Sequence, residues 1–131
     1  MWVKPCSQPP ARELMDIQRF GTTSRYSDIV VHNRTAWIVE VPSSTDADIA
    51  TQTREVLGSL ERLLDQAGSG KDRILMATVY LTDLADYDGM NAVWDAWVPP
   101  GSAPSRACVQ VLALAQPGWR VEIALVAATG D

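Results

Sequence analysis

The segment ILMATVYLTD, residues 74–83, is the strongest indication of the fold of this chain. Its first eight residues, from Ile74 to Leu81, are nearly all apolar, and Thr82 and Asp83 follow them directly. A short apolar run that ends abruptly at polar residues is typical of a buried strand inside a sheet. We therefore predict that residues 74–81 form the central strand of the sheet.

A long amphipathic helix is predicted before this strand. Apolar residues from Ile49 to Ala67 recur at the 3.6-residue period of a helix with one buried face. Thr45 and Asp48 resemble a capping box at its start, with Asp in place of the preferred Glu. Gly68 is suited to end the helix, because glycine readily takes the left-handed conformation that follows a last turn.

A shorter helix is predicted after the strand. Its apolar residues, at helical spacing, are Met90, Val93, Trp94 and Trp97. Asp86 is placed to cap its first turn, and the Pro-Pro-Gly run at residues 99–101 ends it.

Four further strands complete the predicted sheet, in two pairs. Residues 29–31 and 36–39 flank a plausible hairpin turn at 32–35. Residues 106–112 and 121–127 flank a Gln-Pro-Gly turn. The order is β-β-α-β-α-β-β, with one extra short strand possible near Ile17. It predicts an α+β domain in which two helices cover one face of a mixed sheet.

Length and composition indicate one ordinary globular domain. The chain has 131 residues, 47% of them hydrophobic and 21% charged, which is enough to build a core without disulfides or metal. Residues 1–16 are polar and rich in proline, so we interpret them as a flexible leader before a single domain at 17–131.

The charge and the apolar runs exclude some classes of protein. A net charge of -5 without a basic run argues against nucleic-acid binding as the primary role. No stretch approaches the roughly 18 apolar residues of a membrane span, and the first residues lack the apolar core of a signal peptide. We therefore expect a cytoplasmic protein that binds neither nucleic acid nor membrane.

Common cofactor and nucleophile motifs are missing. The sequence has no glycine-rich dinucleotide or phosphate loop, no HExxH and no CxxC. His32 is the single histidine and, with Cys6 and Cys108, cannot form a structural zinc set with paired spacing. No metal and no cofactor are expected.

Arg106 is the first candidate functional residue. It begins an otherwise apolar strand, and the two-residue period puts Cys108 and Gln110 on its face. One interpretation is a strand-end arginine in a surface ion pair. The other is a planar guanidinium at the rim of a cleft, suited to bidentate binding of a carboxylate.

Glu122 is the second candidate, because it interrupts the apolar run from Val121 to Ala127, a strand that we expect to lie next to that of Arg106. It is either a solvent-facing strand residue or a partly buried carboxylate. In the second case burial raises its pKa and lets it orient or deprotonate a water molecule.

Several separated segments together resemble the RidA (YjgF) family. Residues 104–111 (PSRACVQV) followed by 121–123 (VEI) are similar to its closing signature. Residues 74–83 and 90–94 are similar to its central segment, and the sequence of residues 91–97 (NAVWDAW) most resembles that of the YoaB-like branch. The resemblance covers roughly residues 17–128, nearly the whole domain.

The resemblance implies a fold, an assembly and an activity. Members have a chorismate-mutase-like fold and form homotrimers with a cleft at each subunit interface. Active members hydrolyse 2-aminoacrylate and related 2-imino acids to 2-keto acids and ammonia, without metal or cofactor. By position, Arg106 is the carboxylate-binding arginine and Glu122 the acid that positions water. Cys108 is a wall residue with backbone contacts, and Tyr26 and Asn91 fall where the family has supporting cleft residues.

Two departures from the family pattern bear on activity. Deaminating members carry Ser-Gly-Gln where this chain has Ile38, Val39 and Glu40, so Ile38 and Val39 are predicted to alter the wall of the substrate site. The connection between Arg106 and Glu122 is also one residue longer than usual. Three functions therefore stay open: an imine deaminase, a non-catalytic trimer that binds a small carboxylate or protects other proteins, and a ribonuclease or translation inhibitor.

Overall fold

A computed structural model describes residues 16–130. Two helices and six strands form in these residues. The strands are β1 (Gln18–Phe20), β2 (Ile29–His32), β3 (Thr35–Glu40), β4 (Ile74–Leu81), β5 (Ser105–Gln110) and β6 (Val121–Ala128). The helices are α1 (Ile49–Gln66) and α2 (Tyr87–Trp97), with short 3₁₀ turns at Lys71–Arg73 and Leu84–Asp86. The predicted element order is confirmed, including the extra short strand near Ile17, while most of the predicted leader lies outside the described residues.

The six strands form one mixed sheet in the order β1-β2-β3-β6-β4-β5. Strand β4 pairs antiparallel with β6 and parallel with β5, so it lies inside the sheet as its apolar sequence predicts. Helix α2 connects the parallel pair, because two parallel strands need a crossover. Both helices lie on one face, and we refer to that side of the sheet as the covered face and to the other as the open face.

The predicted hairpin between β2 and β3 is a two-residue turn. Asn33 and Arg34 both have positive φ, at 50° and 59°. This is the backbone of a type I′ turn, whose twist matches that of the two strands. The turn fixes the register in which Ile29 pairs with Ile38.

Helix α1 begins three residues later than a capping box at Thr45 requires. Asp48 is the N-cap, and its Oδ1 accepts the backbone N–H of Thr51 at 2.9 Å. The Thr45 backbone instead lies against Gly118, where a Cβ would collide with the Thr45 carbonyl. The predicted capping box is therefore wrong, because this contact holds the segment before Asp48 out of the helix.

The predicted stop of α1 is confirmed. Gly68 has a φ of +77°, and the N–H of Ser69 reaches back to the Leu64 carbonyl at 2.8 Å. This pattern closes the last turn of a helix through a left-handed glycine.

Asp86 does not cap α2 with its side chain. It occupies the N-cap position without a side-chain cap bond, and its Oδ2 lies 3.4 Å from Nε of Arg120. The prediction placed Asp86 correctly but assigned it the wrong partner, because Arg120 at the start of β6 competes for its carboxylate.

The core lies between the covered face and the two helices. Val121, Ile123, Leu125 and Ala127 alternate inward along β6 and are at most 2% exposed. Leu57, Leu60 and Leu64 of α1 and Met90 and Trp94 of α2 pack on the same side of the sheet and are at most 5% exposed. The residues that alternate with the buried ones along β6 face the opposite way, so the side chains of this one strand define both faces of the sheet.

Candidate functional site

Arg106 lies on β5, at the edge of the sheet. Its strand neighbour is Ala77 of β4, which is fully buried beneath the helices. Because paired residues of neighbouring strands project to the same side, the Arg106 side chain projects to the covered face and meets helix α2.

Three side chains of α2 hold the guanidinium in place. Nη1 of Arg106 donates to Oδ1 of Asn91 at 2.8 Å, and Nη2 donates to the hydroxyl of Tyr87 at 3.3 Å. The Cζ atom lies 5.2 Å from the centroid of the Trp94 ring, within the range of a cation–π contact. The surface ion pair considered for Arg106 is absent among residues 16–130, where its partners are neutral. Its charge is therefore available to a ligand.

An open cavity of about 420 Å³ lies beside this guanidinium. Leu84, Tyr87, Arg106 and Cys108 line it. Burial raises the pKa of the Cys108 thiol, and the opposing effect of the Arg106 charge is smaller. The thiol thus stays protonated at neutral pH, which fits the predicted wall residue and does not fit a nucleophile.

Glu122 lies on the open face of β6. It pairs across the sheet with Tyr80 of β4, whose side chain also projects to that face. Glu122 is half-buried, and desolvation raises the pKa of its carboxyl above the ordinary value of 4.5. The structure therefore gives the partly buried carboxylate that the second interpretation of Glu122 describes.

Arg106 and Glu122 do not meet within one chain. The sequence order suggested that their strands are neighbours, but β4 lies between β5 and β6. The two side chains also project to opposite faces, since Arg106 aligns with Ala77 and Glu122 with Tyr80 on the intervening strand. The expectation of adjacent strands is wrong, because the crossover through α2 puts β5 outside β4.

Of the other predicted site residues, only Asn91 and Cys108 lie beside Arg106. Tyr26 is 64% exposed in the loop between β1 and β2, near the edge of the sheet opposite β5. Strands lie about 4.8 Å apart, so the four intervals between β2 and β5 span roughly 19 Å. Tyr26 cannot reach Arg106 of the same chain.

Ile38 and Val39 lie on different faces. Ile38 is 1% exposed and packs in the core, so its side chain does not line a substrate site as predicted. Val39 is 49% exposed on the open face and pairs with Ala124, two residues from Glu122. The departure from Ser-Gly-Gln therefore bears on the surroundings of Glu122 through Val39.

Sequence reasoning missed Tyr87 as a partner of Arg106. Tyr87, Asn91 and Trp94 are spaced by four and three residues, so they share one face of α2. Once Asn91 was assigned to the site, this spacing was the signal that could have identified Tyr87.

A buried glutamine that no sequence pattern indicated anchors the connection between β5 and β6. Gln52 of α1 is fully buried, and its Oε1 accepts the backbone N–H of Arg120 at 2.8 Å. Its Nε2 donates to the carbonyl of Gly118 at 2.8 Å. These bonds fix the backbone two residues before Glu122, so the longer connection is held against α1.

A metal-binding group and a membrane-spanning helix are both absent from the described part of the chain. Within residues 16–130, no three His, Cys, Asp or Glu side chains are grouped closely enough to hold a metal ion. No helix in that range is long and apolar enough to cross a membrane.

Comparison with known proteins gives consistent matches over nearly the whole chain. The family model described as endoribonuclease L-PSP matches residues 16–129. The RutC family protein YoaB of Escherichia coli is 44% identical over 114 residues, covering 87% of this chain and 99% of that protein. The solved structure of a YjgF-family protein from Neisseria meningitidis superposes with a TM-score of 0.86 at 46% identity, covering 90% of this chain and 98% of that one.

Proposed function

The chain belongs to the RidA (YjgF) family, in its YoaB-like branch, and we propose that it hydrolyses reactive 2-enamines and 2-imines to 2-keto acids and ammonia. The single observation that carries this proposal is the Arg106 guanidinium. It lies at an open cavity, held by neutral groups of α2, and no carboxylate of residues 16–130 neutralises it.

Arg106 would bind the carboxylate of the substrate. Planar guanidinium groups bind carboxylates through two parallel N–H bonds, which fixes orientation as well as position. Asn91 and Trp94 keep the guanidinium in one rotamer, so less conformational entropy is lost when the substrate binds. The carbon next to the carboxylate, which bears the C=N bond, is then held in a fixed place.

Glu122 would carry the proton. Water adds to the imine carbon, the C=N π electrons move to nitrogen, and the carboxylate takes a proton from the water and gives it to that nitrogen. The proton of the new hydroxyl passes through the same carboxylate to that nitrogen, the C–N bond breaks with its electrons leaving on ammonia, and C=O forms. An enamine first becomes the imine by gaining a proton on carbon and losing one from nitrogen. The raised pKa of Glu122 suits both proton transfers, because a proton carrier works best with a pKa near the working pH.

A site that contains both residues needs two copies of the chain. Arg106 is on the covered face at the sheet edge, and Glu122 is on the open face. The open face carries exposed apolar side chains, among them Trp37, Val39 and Val109 at 42–49% exposure. Apolar areas of this kind are typical of subunit interfaces. We therefore propose a cytoplasmic homotrimer in which Arg106 of one copy faces Glu122 of the next.

One observation favours the alternative of a trimer that binds a carboxylate without turnover. Val39 places a branched side chain on the open face near Glu122, where deaminating members have glycine. This leaves less room for water beside the carboxylate. RNA cleavage, which the family description names, gains no support from the net charge of -5.

The test is the rate of keto-acid and ammonia release from 2-iminobutyrate generated in situ by an amino-acid oxidase. We expect Arg106→Ala to lower kcat/KM by about 10²- to 10³-fold, because losing a charged partner costs roughly 3–4 kcal/mol. Arg62→Ala, which removes an exposed arginine of α1 away from the cavity, serves as the control and should match the wild type.

Each remaining outcome has a clear meaning. Wild-type activity in Arg106→Ala would contradict the role of Arg106. If the wild type does not accelerate hydrolysis but still binds 2-oxobutyrate, the non-catalytic alternative holds.

A further inference from the structure

The hydroxyl group of Tyr87 gives the cavity a second polar group. It accepts a hydrogen bond from Nη2 of Arg106 at 3.3 Å, and the Tyr87 ring lies 5.9 Å from the guanidinium carbon. A phenol oxygen can accept and donate at the same time. Within residues 16–130 the hydroxyl makes no other hydrogen bond, so its proton has no acceptor there. Tyr87 is 39% exposed and lines the cavity with Leu84 and Cys108.

The distance from Arg106 decides which part of a ligand this hydroxyl can reach. One guanidinium nitrogen can donate to two acceptors, each about 3 Å away and in directions about 120° apart. Two such acceptors lie about 5 Å from each other. A carboxylate oxygen on the other N–H of Nη2 is therefore too far from the Tyr87 oxygen for a direct bond. An oxygen on the side chain of the same ligand, two carbons from the carboxylate carbon, lies within reach of it.

We propose that Tyr87 selects 2-imino acids whose side chain carries an oxygen, by donating its hydroxyl proton to that oxygen while Arg106 holds the carboxylate. A ligand with an alkyl side chain leaves the hydroxyl facing a methyl group. A site that offers a hydrogen-bond donor discriminates against such a ligand, because the alkyl group displaces water from the donor without replacing its hydrogen bond.

The inference rests on the proposed carboxylate site, but its test does not depend on turnover. Dissociation constants of 3-hydroxypyruvate and 2-oxobutyrate, which differ only by a hydroxyl in place of a methyl group, are measured by NMR titration. The wild type should bind 3-hydroxypyruvate about fivefold more tightly, as expected for one neutral hydrogen bond. Tyr87→Phe should bind the two acids equally.

The readout is a ratio of two affinities in the same protein. A general loss of structure in Tyr87→Phe would weaken both ligands alike and leave that ratio unchanged. Equal affinities in the wild type, a preference that survives in Tyr87→Phe, or no binding of either acid would each overturn the proposal. A wild-type preference lost in Tyr87→Phe, together with no ammonia release, would uphold it and reject the deaminase.

Discussion

The two faces of the sheet differ in whether helices of the same chain cover them. On the covered face, β6 and β4 bury their side chains under α1 and α2 within one chain, as Ile123 and Val79 show at 0% exposure. On the open face the sheet presents apolar side chains to solvent, among them Trp37 of β3 at 43% exposure. The first face is a finished core, whereas the second has the composition of a core that lacks a partner.

The functional candidates follow this division. Arg106 projects to the covered face, where Asn91 and Trp94 of α2 hold it. Glu122 projects to the open face, where the chain leaves its carboxyl half-buried. If Arg106 and Glu122 serve one site, as proposed, a single chain holds its two halves on different sides of the sheet, and an assembly must bring them together.

The largest expected effect comes from placing a charge on the open face. Val109→Asp puts a carboxylate on β5, where Val109 is 42% exposed. If the open face is an interface, burial of the unpaired charge costs roughly 3–5 kcal/mol per contact and dissociates the trimer. Light scattering should then report a mass near 14.3 kDa instead of three times that value.

Thr51→Asp adds the same charge to the exposed side of α1 and should leave the mass unchanged. If Val109→Asp kept the mass of the wild type, the distinction between a completed and an incomplete face would fail.

A smaller effect is expected from Glu122→Gln on stability. Burial raises the pKa of Glu122, so the folded chain disfavours the charged form. This cost is absent below the ordinary pKa of 4.5 and grows as the pH rises through the folded value. Glu122→Gln should therefore gain stability at neutral pH, by less than about 1 kcal/mol because the group is partly solvated.

Urea unfolding at a fixed protomer concentration between pH 4 and 8 measures this difference. The gain of the variant over the wild type should shrink toward pH 4. A loss of stability at neutral pH would mean that a partner stabilises the Glu122 carboxylate on the open face.

Most of the fold could be predicted from the sequence because the patterns are local. The apolar run of β4, the helical period of α1 with Gly68 after it, and the turn at residues 32–35 all form where predicted. The helix starts were less accurate. The capping roles of Thr45 and Asp86 were judged without their long-range contacts, namely Gly118 packed on the Thr45 backbone and the Arg120 side chain beside Asp86.

The site could be predicted only in part, for a topological reason. Sequence spacing related Arg106 to Cys108 correctly, since both lie on one strand. It could not show that β4 separates β5 from β6, because strand order depends on the crossover through α2. The prediction that Ile38 lines the substrate site failed for a similar reason, since the face on which Ile38 lies depends on its pairing with Leu125 of β6.

The most direct test of a site shared between two copies of the chain mixes two inactive variants. Arg106→Ala and Glu122→Gln are unfolded together in urea and refolded, and native mass spectrometry confirms mixed trimers. If each site takes Arg106 from one copy and Glu122 from the next, random mixing restores about a quarter of the sites. Keto-acid release from 2-iminobutyrate should then recover to about a quarter of the wild-type rate. Mixed trimers without any recovered activity would contradict a site shared between two copies.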